Sequence, residues 1–231
     1  FVSVAAHQLR TPLTGIKWTL ASLLEEGMGK FTSDQKQIAG EAFKATNHLI
    51  ELINDLLNVA RLEEGRFGFN IRQQAIIPLI KKLASRFELV AKEKGITLTV
   101  HLPQDLPLFM IDEEKMDIVM DNLLDNAIKY TPAGGHVEFD AKMEGDHLKI
   151  SVRDSGIGIP KEQFHRVFSK FFRAQNAQLQ QTSGTGLGLY VSRNIVEKHG
   201  GSLTFESREG EGSTFLVILP AAGSGFVKVK N

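Results

Sequence analysis

DNLLDNAIKY, residues 121–130, closes a stretch, EEKMDIVMDNLLDNAIKY (113–130), that reads as a helix. Within it Asn122, Asn126 and Lys129 stand at i, i+4 and i+7 and so share one face. Asparagine is a poor interior helix former, and two on one stripe cost stability unless they have a task. An amide oxygen can ligate magnesium and a lysine can meet phosphate, although a solvated polar face explains the same residues.

Working outward, DSGIGIP (154–160) follows a strand, which puts Asp154 at a strand end as a hydrogen-bond acceptor. Gly156 and Gly158 beside it would let a ligand approach the backbone closely. GTGLGLY (184–190) opens a helix whose free N–H groups favour an anion such as phosphate. One glycine cluster alone describes many tight turns; two of them, in this order after the asparagine stripe, carry more weight. The loop G-x-x-x-x-G-K-[ST] and the catalytic loop H-R-D are both absent, so nucleotide binding here would use neither of the two commonest solutions.

Around these motifs strands and helices mix. RFGFNI (66–71), ITLTVHL (96–102) and LFMID (108–112) read as strands, and IIPLIKKLASRFELVAKEKG (76–95) as a helix ended by glycine. HVEFDAKM (136–143) and HLKISVRD (147–154) form a hairpin around EGD. A helix is expected near KEQFHRVFSKF (161–171), and RAQNAQLQQTSGTG (173–186), almost without apolar residues, is expected to be mobile. GLGLYVSRNIVEKHGG (186–201) is a helix, and SLTFES (202–207) with STFLVILP (213–220) complete the sheet of an α/β sandwich.

The first 65 residues are different. Val2, Ala6, Leu9, Leu13, Ile16, Leu20 and Leu23 step by fours and threes, the a/d seam of a heptad. EEGMGKFTS (25–33) interrupts it, with Ser33 a plausible N-cap. A second seam runs Ile38, Ala42, Ala45, Leu49, Leu52, Leu56, Val59. Two such helices make a hairpin with an open apolar surface, which a symmetric dimer closes into a four-helix bundle. The fold class is therefore α + α/β, with boundaries at 1–65, 66–220 and a tail, 221–231, that reads equally as linker, appendage or edge strand.

His7 falls at heptad position b, outside the seam, and Pro12 follows it within the same helix. A proline there disturbs the carbonyl four residues back, that of Gln8. A deformed helix beside an exposed imidazole suits a docking site, though the proline could simply bend the helix around its partner.

With 42% hydrophobic and 23% charged residues, the chain has the composition of a soluble globular protein. Net charge is zero with no basic stripe, which argues against nucleic-acid binding. There is no cysteine, hence no disulfide or zinc–thiolate site. No stretch approaches the roughly 18 apolar residues of a membrane span. Phe1 is no initiator and the heptad is already running at Val2, so the expectation is a cytoplasmic fragment whose N-terminal portion, and any membrane attachment, lies outside it.

Five stretches together resemble the catalytic core of a bacterial-type sensor histidine kinase, a phosphoacceptor hairpin followed by a Bergerat-fold ATP-binding domain. AHQLRTPLTG (6–15) is similar to the phosphoacceptor box, DNLLDNAIKYTP (121–132) to the asparagine box and DSGIGIP to the first glycine box. FSKFFR (168–173) is similar to the phenylalanine box and GTGLGL (184–189) to the second glycine box. The resemblance spans about residues 1–220. It implies that His7 accepts the γ-phosphoryl group of ATP, that Asn126 holds magnesium with Asn122 nearby, and that Lys129 contacts phosphate.

It implies further that Tyr130 lines the nucleotide pocket, that Asp154 accepts from the adenine amino group and that Gly158 lets the base approach. Phe168, Phe171 and Phe172 would anchor the lid over ATP, Arg173 would reach the terminal phosphate, and Gly184, Gly186 and Gly188 would close on the phosphates. Thr11 matches the position that orients water for dephosphorylating a response regulator, the expected partner besides a second copy of the chain. One residue departs from the family: an acidic residue usually follows the phosphoacceptor, and here it is Gln8, which puts the general-base role in doubt. Two other readings remain, a degenerate kinase acting as a nucleotide-responsive scaffold and a Bergerat-type ATP hydrolase. The latter would use a glutamate where Asn122 stands, and an amide cannot serve as that base.

Overall fold

The computed structural model describes residues 2–25, 31–180 and 184–221, with the side chains of 2–8 and 10 outside the description. The expected mobility of 181–183 and the role of 222–231 lie outside the described residues. The chain forms two compact units. One is helical and runs through Phe67, with the segment Ser183–Leu187 grouped with it; the other comprises Gly68–Thr182 and Gly188 onward.

The helical unit is a hairpin of α1 (Val2–Leu24) and α2 (Ser33–Glu63). Helix α1 runs on through Pro12. The N-cap of helix α2 lies one residue before the expected one: Thr32, not Ser33, accepts from the Gln35 amide, and the Gln35 side chain accepts in return from the Thr32 amide. That reciprocal box satisfies two otherwise orphaned donors, which Ser33 could not do. The seams are legible in the burial. Leu13, Leu20 and Leu23 are half-buried between the helices, whereas Leu9, Ile16, Ile38, Leu49 and Leu56 remain exposed.

The second unit begins with β1 (Arg72–Gln74), later than the strand expected over RFGFNI. Phe67 is instead buried and Phe69 packs edge-on against His199, so these aromatics anchor the chain without pairing. Strand β1 pairs antiparallel with β3 (Phe109–Ile111) in a separate two-stranded sheet. The main sheet contains β2 (Thr97–His101), β4 (His136–Glu144), β5 (His147–Asp154), β6 (Ser202–Arg208) and β7 (Gly212–Pro220) in the order β2-β4-β5-β7-β6. The β2–β4 pair is parallel and the others are antiparallel.

Helices α3 (Ile77–Glu93), α4 (Glu113–Tyr130) and α6 (Gly188–Lys198) form the other layer, with α4 packed on both α3 and α6. The inward rows alternate with the period of two that a half-buried strand requires: Val137, Phe139 and Ala141 on β4, Leu148, Ile150 and Val152 on β5, Phe215, Val217 and Leu219 on β7. Opposite them lie Met116, Val119, Met120, Leu123, Leu124, Ala127 and Ile128 of α4. Along the chain after β5, the expected helix at KEQFHRVFSKF shrinks to a 3-10 helix, Lys161–Arg166. The polar stretch expected to be mobile contains a short helix, α5 (Gln175–Gln180).

Candidate functional site

Asp154 sits where it does because of strand periodicity. Leu148, Ile150 and Val152 point to the helix layer, and two residues on the same parity brings Asp154 into that row at the end of β5. Its neighbours across the sheet are Val137 and Ser213. The carboxylate is buried, at 7% exposure, and its Oδ1 accepts from the Gly156 amide at 2.8 Å and the Ser213 amide at 3.3 Å. Neither bond uses Oδ2. Burial pushes the carboxyl pKa up to about 6, partly offset by the two amides and by the charge of His136. It is therefore ionised at neutral pH, at the edge of its range.

The glycines beside it are needed, and the first atoms they admit are the protein's own. A Cβ on Gly156 would lie 2.5 Å from the Tyr130 carbonyl oxygen, and one on Gly158, where φ is +61°, would lie 2.0 Å from that of Arg208. The Ile157 amide donates to Tyr130 O at 3.2 Å, and the Gly210 amide donates to Ile157 O at 2.8 Å. Ser207 Oγ accepts from the Ile159 amide and donates to Gly212 O. The loop after β5 is thus clamped between the end of α4 and the β6–β7 turn. Close approach by a ligand, the expected reason for these glycines, comes second to close approach by the chain itself.

Helix α4 is fixed at both ends. At its start Asp112 caps the Lys115 amide, accepts from the Asn70 amide at 2.7 Å and donates its own N–H to His199 Nε2 at 2.9 Å. The buried His199 Nδ1 is 2.7 Å from Ile195 O, so Nδ1 carries the proton and Nε2 accepts. Burial lowers the His199 pKa, which keeps the ring neutral. Further along, Asn122 Nδ2 donates to Gly188 O at 3.3 Å and Ser192 Oγ at 3.2 Å, and a Cβ on Gly188 would crowd its amide. Asn122 therefore spends its donors holding α6 to α4.

Asn126, one turn on, is half-buried, and among the described residues no hydrogen bond engages its amide. An uncommitted amide oxygen fits a hard cation. The Lys129 ammonium lies 5.8 Å from the centre of the Tyr130 ring.

The phenylalanine box divides. Phe168 meets Phe205 of β6 edge-on at 5.7 Å, and Arg166 lies over the Phe172 ring. Phe171, expected to anchor with them, is 61% exposed with φ at +60°, a strained conformation for an aromatic residue. Arg173 Nη2 lies 3.5 Å from Ala177 O within its own segment.

The structure thus brings together Asn122 with Gly188, and Gly156 with Tyr130 and Asp154, while Gly158 meets Arg208. Gly184 and Gly186, at φ of +144° and +68°, fall in the segment grouped with the helical unit. His7, Gln8 and Thr11 lie on α1, with the His7 and Gln8 side chains outside the described residues. Sequence reasoning missed Ser192, Ser207, Ser213 and His199. Each makes a polar contact that spans tens of residues, and no local pattern marks it.

Residues 111–223 match the family model described as histidine kinase-, DNA gyrase B-, and HSP90-like ATPase. That description covers several activities, but residues 1–65 match the His Kinase A (phospho-acceptor) domain. The chain belongs to the sensor histidine kinases. It is similar to sensor histidine kinase WalK of Bacillus subtilis (strain 168), with 37% identity over 227 residues, covering 95% of this chain and 36% of WalK. Circadian input-output histidine kinase CikA of Synechococcus elongatus is 33% identical over 222 residues, covering 95% of this chain and 29% of CikA. Among solved structures, full-length ShkA in complex with AMPPNP superposes with a TM-score of 0.76 at 28% identity, over 97% of this chain and 46% of that one. This histidine kinase core thus spans about a third of these two curated relatives. Among the described residues, no helix is long and apolar enough to cross a membrane.

Proposed function

We propose that this kinase core binds ATP through Asp154, transfers its γ-phosphoryl group to His7 and then passes that group to an aspartate of a response regulator. The observation that carries the reading is Asp154, a buried carboxylate with one oxygen held by two amides and the other left to accept from an adenine amino group. Lys129 and Arg173 are assigned to phosphate, Tyr130 to the wall of the pocket, and Gly184, Gly186 and Gly188 to the loop closing on the phosphates. Magnesium, held by Asn126 and by phosphate oxygens, would neutralise charge on the transferring group. The phosphoacceptor domain is assigned to 1–65 and the ATP-binding domain to 66–220.

In the transfer, the Nε2 lone pair of His7 forms the N–P bond as the bond from the γ-phosphorus to the β–γ bridging oxygen breaks and ADP leaves. The ring is then cationic until the Nδ1 proton passes to water. Gln8 can accept a hydrogen bond from Nδ1–H and fix the tautomer, but it can neither take the proton nor offset the charge. Thr11 is assigned to orienting the water that hydrolyses the phosphorylated regulator. A second copy of the chain closes the hairpin seams into a four-helix bundle, a reading supported by the exposed Leu9, Ile16, Ile38, Leu49 and Leu56.

The deciding experiment incubates the chain with γ-labelled ATP and magnesium and maps acid-labile phosphate. Label should appear on His7 alone and vanish in His7→Gln. Wild-type labelling of that variant would overturn the assignment, and an unlabelled wild type that still binds ATP would favour the scaffold.

A further inference from the structure

We infer that Asn176 is a positioning residue that fastens the base of the lid to the loop reading adenine, so that Arg173 is already placed when a nucleotide reaches Asp154. The inference rests on the reading of Asp154 and Arg173 as nucleotide contacts, and it concerns a residue outside all five matched boxes.

The Asn176 amide is used on both sides. Its Nδ2 donates to Gly158 O at 2.9 Å and reaches Ile157 O at 3.4 Å, both in the loop after Asp154. Its Oδ1 accepts from the Ala177 amide at 2.9 Å, inside α5. From Ala177 the chain of contacts continues to Arg173, whose Nη2 lies 3.5 Å from Ala177 O and whose carbonyl accepts from Gln178 Nε2 at 2.9 Å. The Gln175 amide donates to Gln163 Oε1 at 3.1 Å.

Helix α5 has six residues, far below the roughly 12 at which an isolated helix becomes even marginal. It buries only Ala177, and Leu179 points to solvent. Polar side chains therefore hold it, and among the described residues Asn176 is the one that reaches the loop after Asp154. The chemistry requires an amide: two hydrogens serve two carbonyls while the oxygen serves an N–H. Aspartate has the same shape but no donor, and would set a carboxylate against both carbonyl oxygens. The loop itself keeps its other ties, to Tyr130, Ser207 and Gly210. Loss of the Asn176 contact should therefore free the lid and leave adenine binding intact.

The test uses the whole 231-residue chain. In the nucleotide-free protein, Asn176→Asp should raise hydrogen exchange of the α5 amides about tenfold or more and leave β4 and β5 unchanged. At saturating ATP, phosphohistidine formation should slow about five- to tenfold, as for loss of one positioning hydrogen bond, while ADP affinity stays within about twofold. Because Asn176 acts through Arg173, its effect should largely disappear in an Arg173→Ala background. Unchanged α5 exchange, or rate effects that multiply in the double variant, would overturn the inference while leaving the nucleotide site standing. Undiminished ATP binding by Asp154→Asn would instead remove the nucleotide site, and the inference with it.

Discussion

The two units treat the same residue types in opposite ways. In α4, Leu123 and Leu124 are at most 1% exposed; in the hairpin, Leu49, Leu56 and Ile38 are 47%, 40% and 67% exposed. The α/β unit completes its core with its own chain, whereas the hairpin presents an apolar stripe that its own chain does not finish. Burial of one large aliphatic side chain is worth about 1.5–3 kcal/mol, so a repeated exposed stripe is a surface awaiting a partner. On the function proposed above, the sheet unit takes a small ligand and the hairpin a second macromolecular surface.

The contrast breaks most visibly at the seam. Leu49→Asp with Leu56→Asp should convert a dimer into monomers, a loss of about 8 kcal/mol for a micromolar association, while ATP binding survives. Sedimentation of the wild type as a monomer at micromolar concentration would contradict the bundle. Leu123→Ala attacks the finished core, and urea unfolding should register a loss of about 2–5 kcal/mol in the α/β unit. A loss well under 1 kcal/mol would mean that α4 is not central to that core.

Asp154→Asn should weaken ATP binding by at least about 1.5 kcal/mol, the low end for a hydrogen bond to a charged group. Its raised pKa adds a pH signature. With Asp154 as the proposed adenine contact, only the ionised form is the full acceptor, so ATP affinity should fall about tenfold per pH unit below 6, as titration calorimetry would show. Stability of the empty unit runs the other way. The folded state holds the proton between the unfolded pKa near 4 and the folded value near 6, so this stabilising contribution is complete below pH 4 and lost by pH 6. It amounts to about 3 kcal/mol, read as the difference between wild type and Asp154→Asn across that window. Equal ATP affinities, or parallel pH profiles, would remove Asp154 from the site.

The smallest effect concerns Gln8. General-base help is worth about 10² to 10⁴ in rate, but phosphoryl transfer relies mainly on positioning and electrostatics. Gln8→Glu should therefore speed single-turnover phosphorylation about tenfold where chemistry limits it. An unchanged rate would mean that a conformational step limits turnover.

The features legible in the sequence are those with a local period or a local motif. Seam residues repeat every three or four positions, and Asp154 stands two residues beyond Val152 on an alternating strand, so both announce their faces. Strand β1, with the sequence RQQ, offers no apolar alternation and pairs only because β3 lies beside it, while the aromatic RFGFNI drew the expectation upstream. Helix α5 was invisible because its stability comes from Asn176, Gln178 and Gln163 finding partners outside any helical pattern. Ser33 is the expected cap, but Thr32 takes that place because Gln35, three residues on, returns its hydrogen bond. His199 carries no local signal, because the Asp112 amide that its ring accepts from is 87 residues away in sequence.

The register Asp154↔Ser213 has a consequence for biosynthesis. As the chain is made from its N-terminus, β4 and β5 emerge with a bare strand edge and an unsupported carboxylate. The Ser213 amide and the β6–β7 turn that seats Gly158 come tens of residues later. With Asp154 as the proposed adenine contact, the nascent chain has no finished pocket for the base until β7 leaves the ribosome, and nucleotide should stabilise this unit only after nearly all of it has been translated.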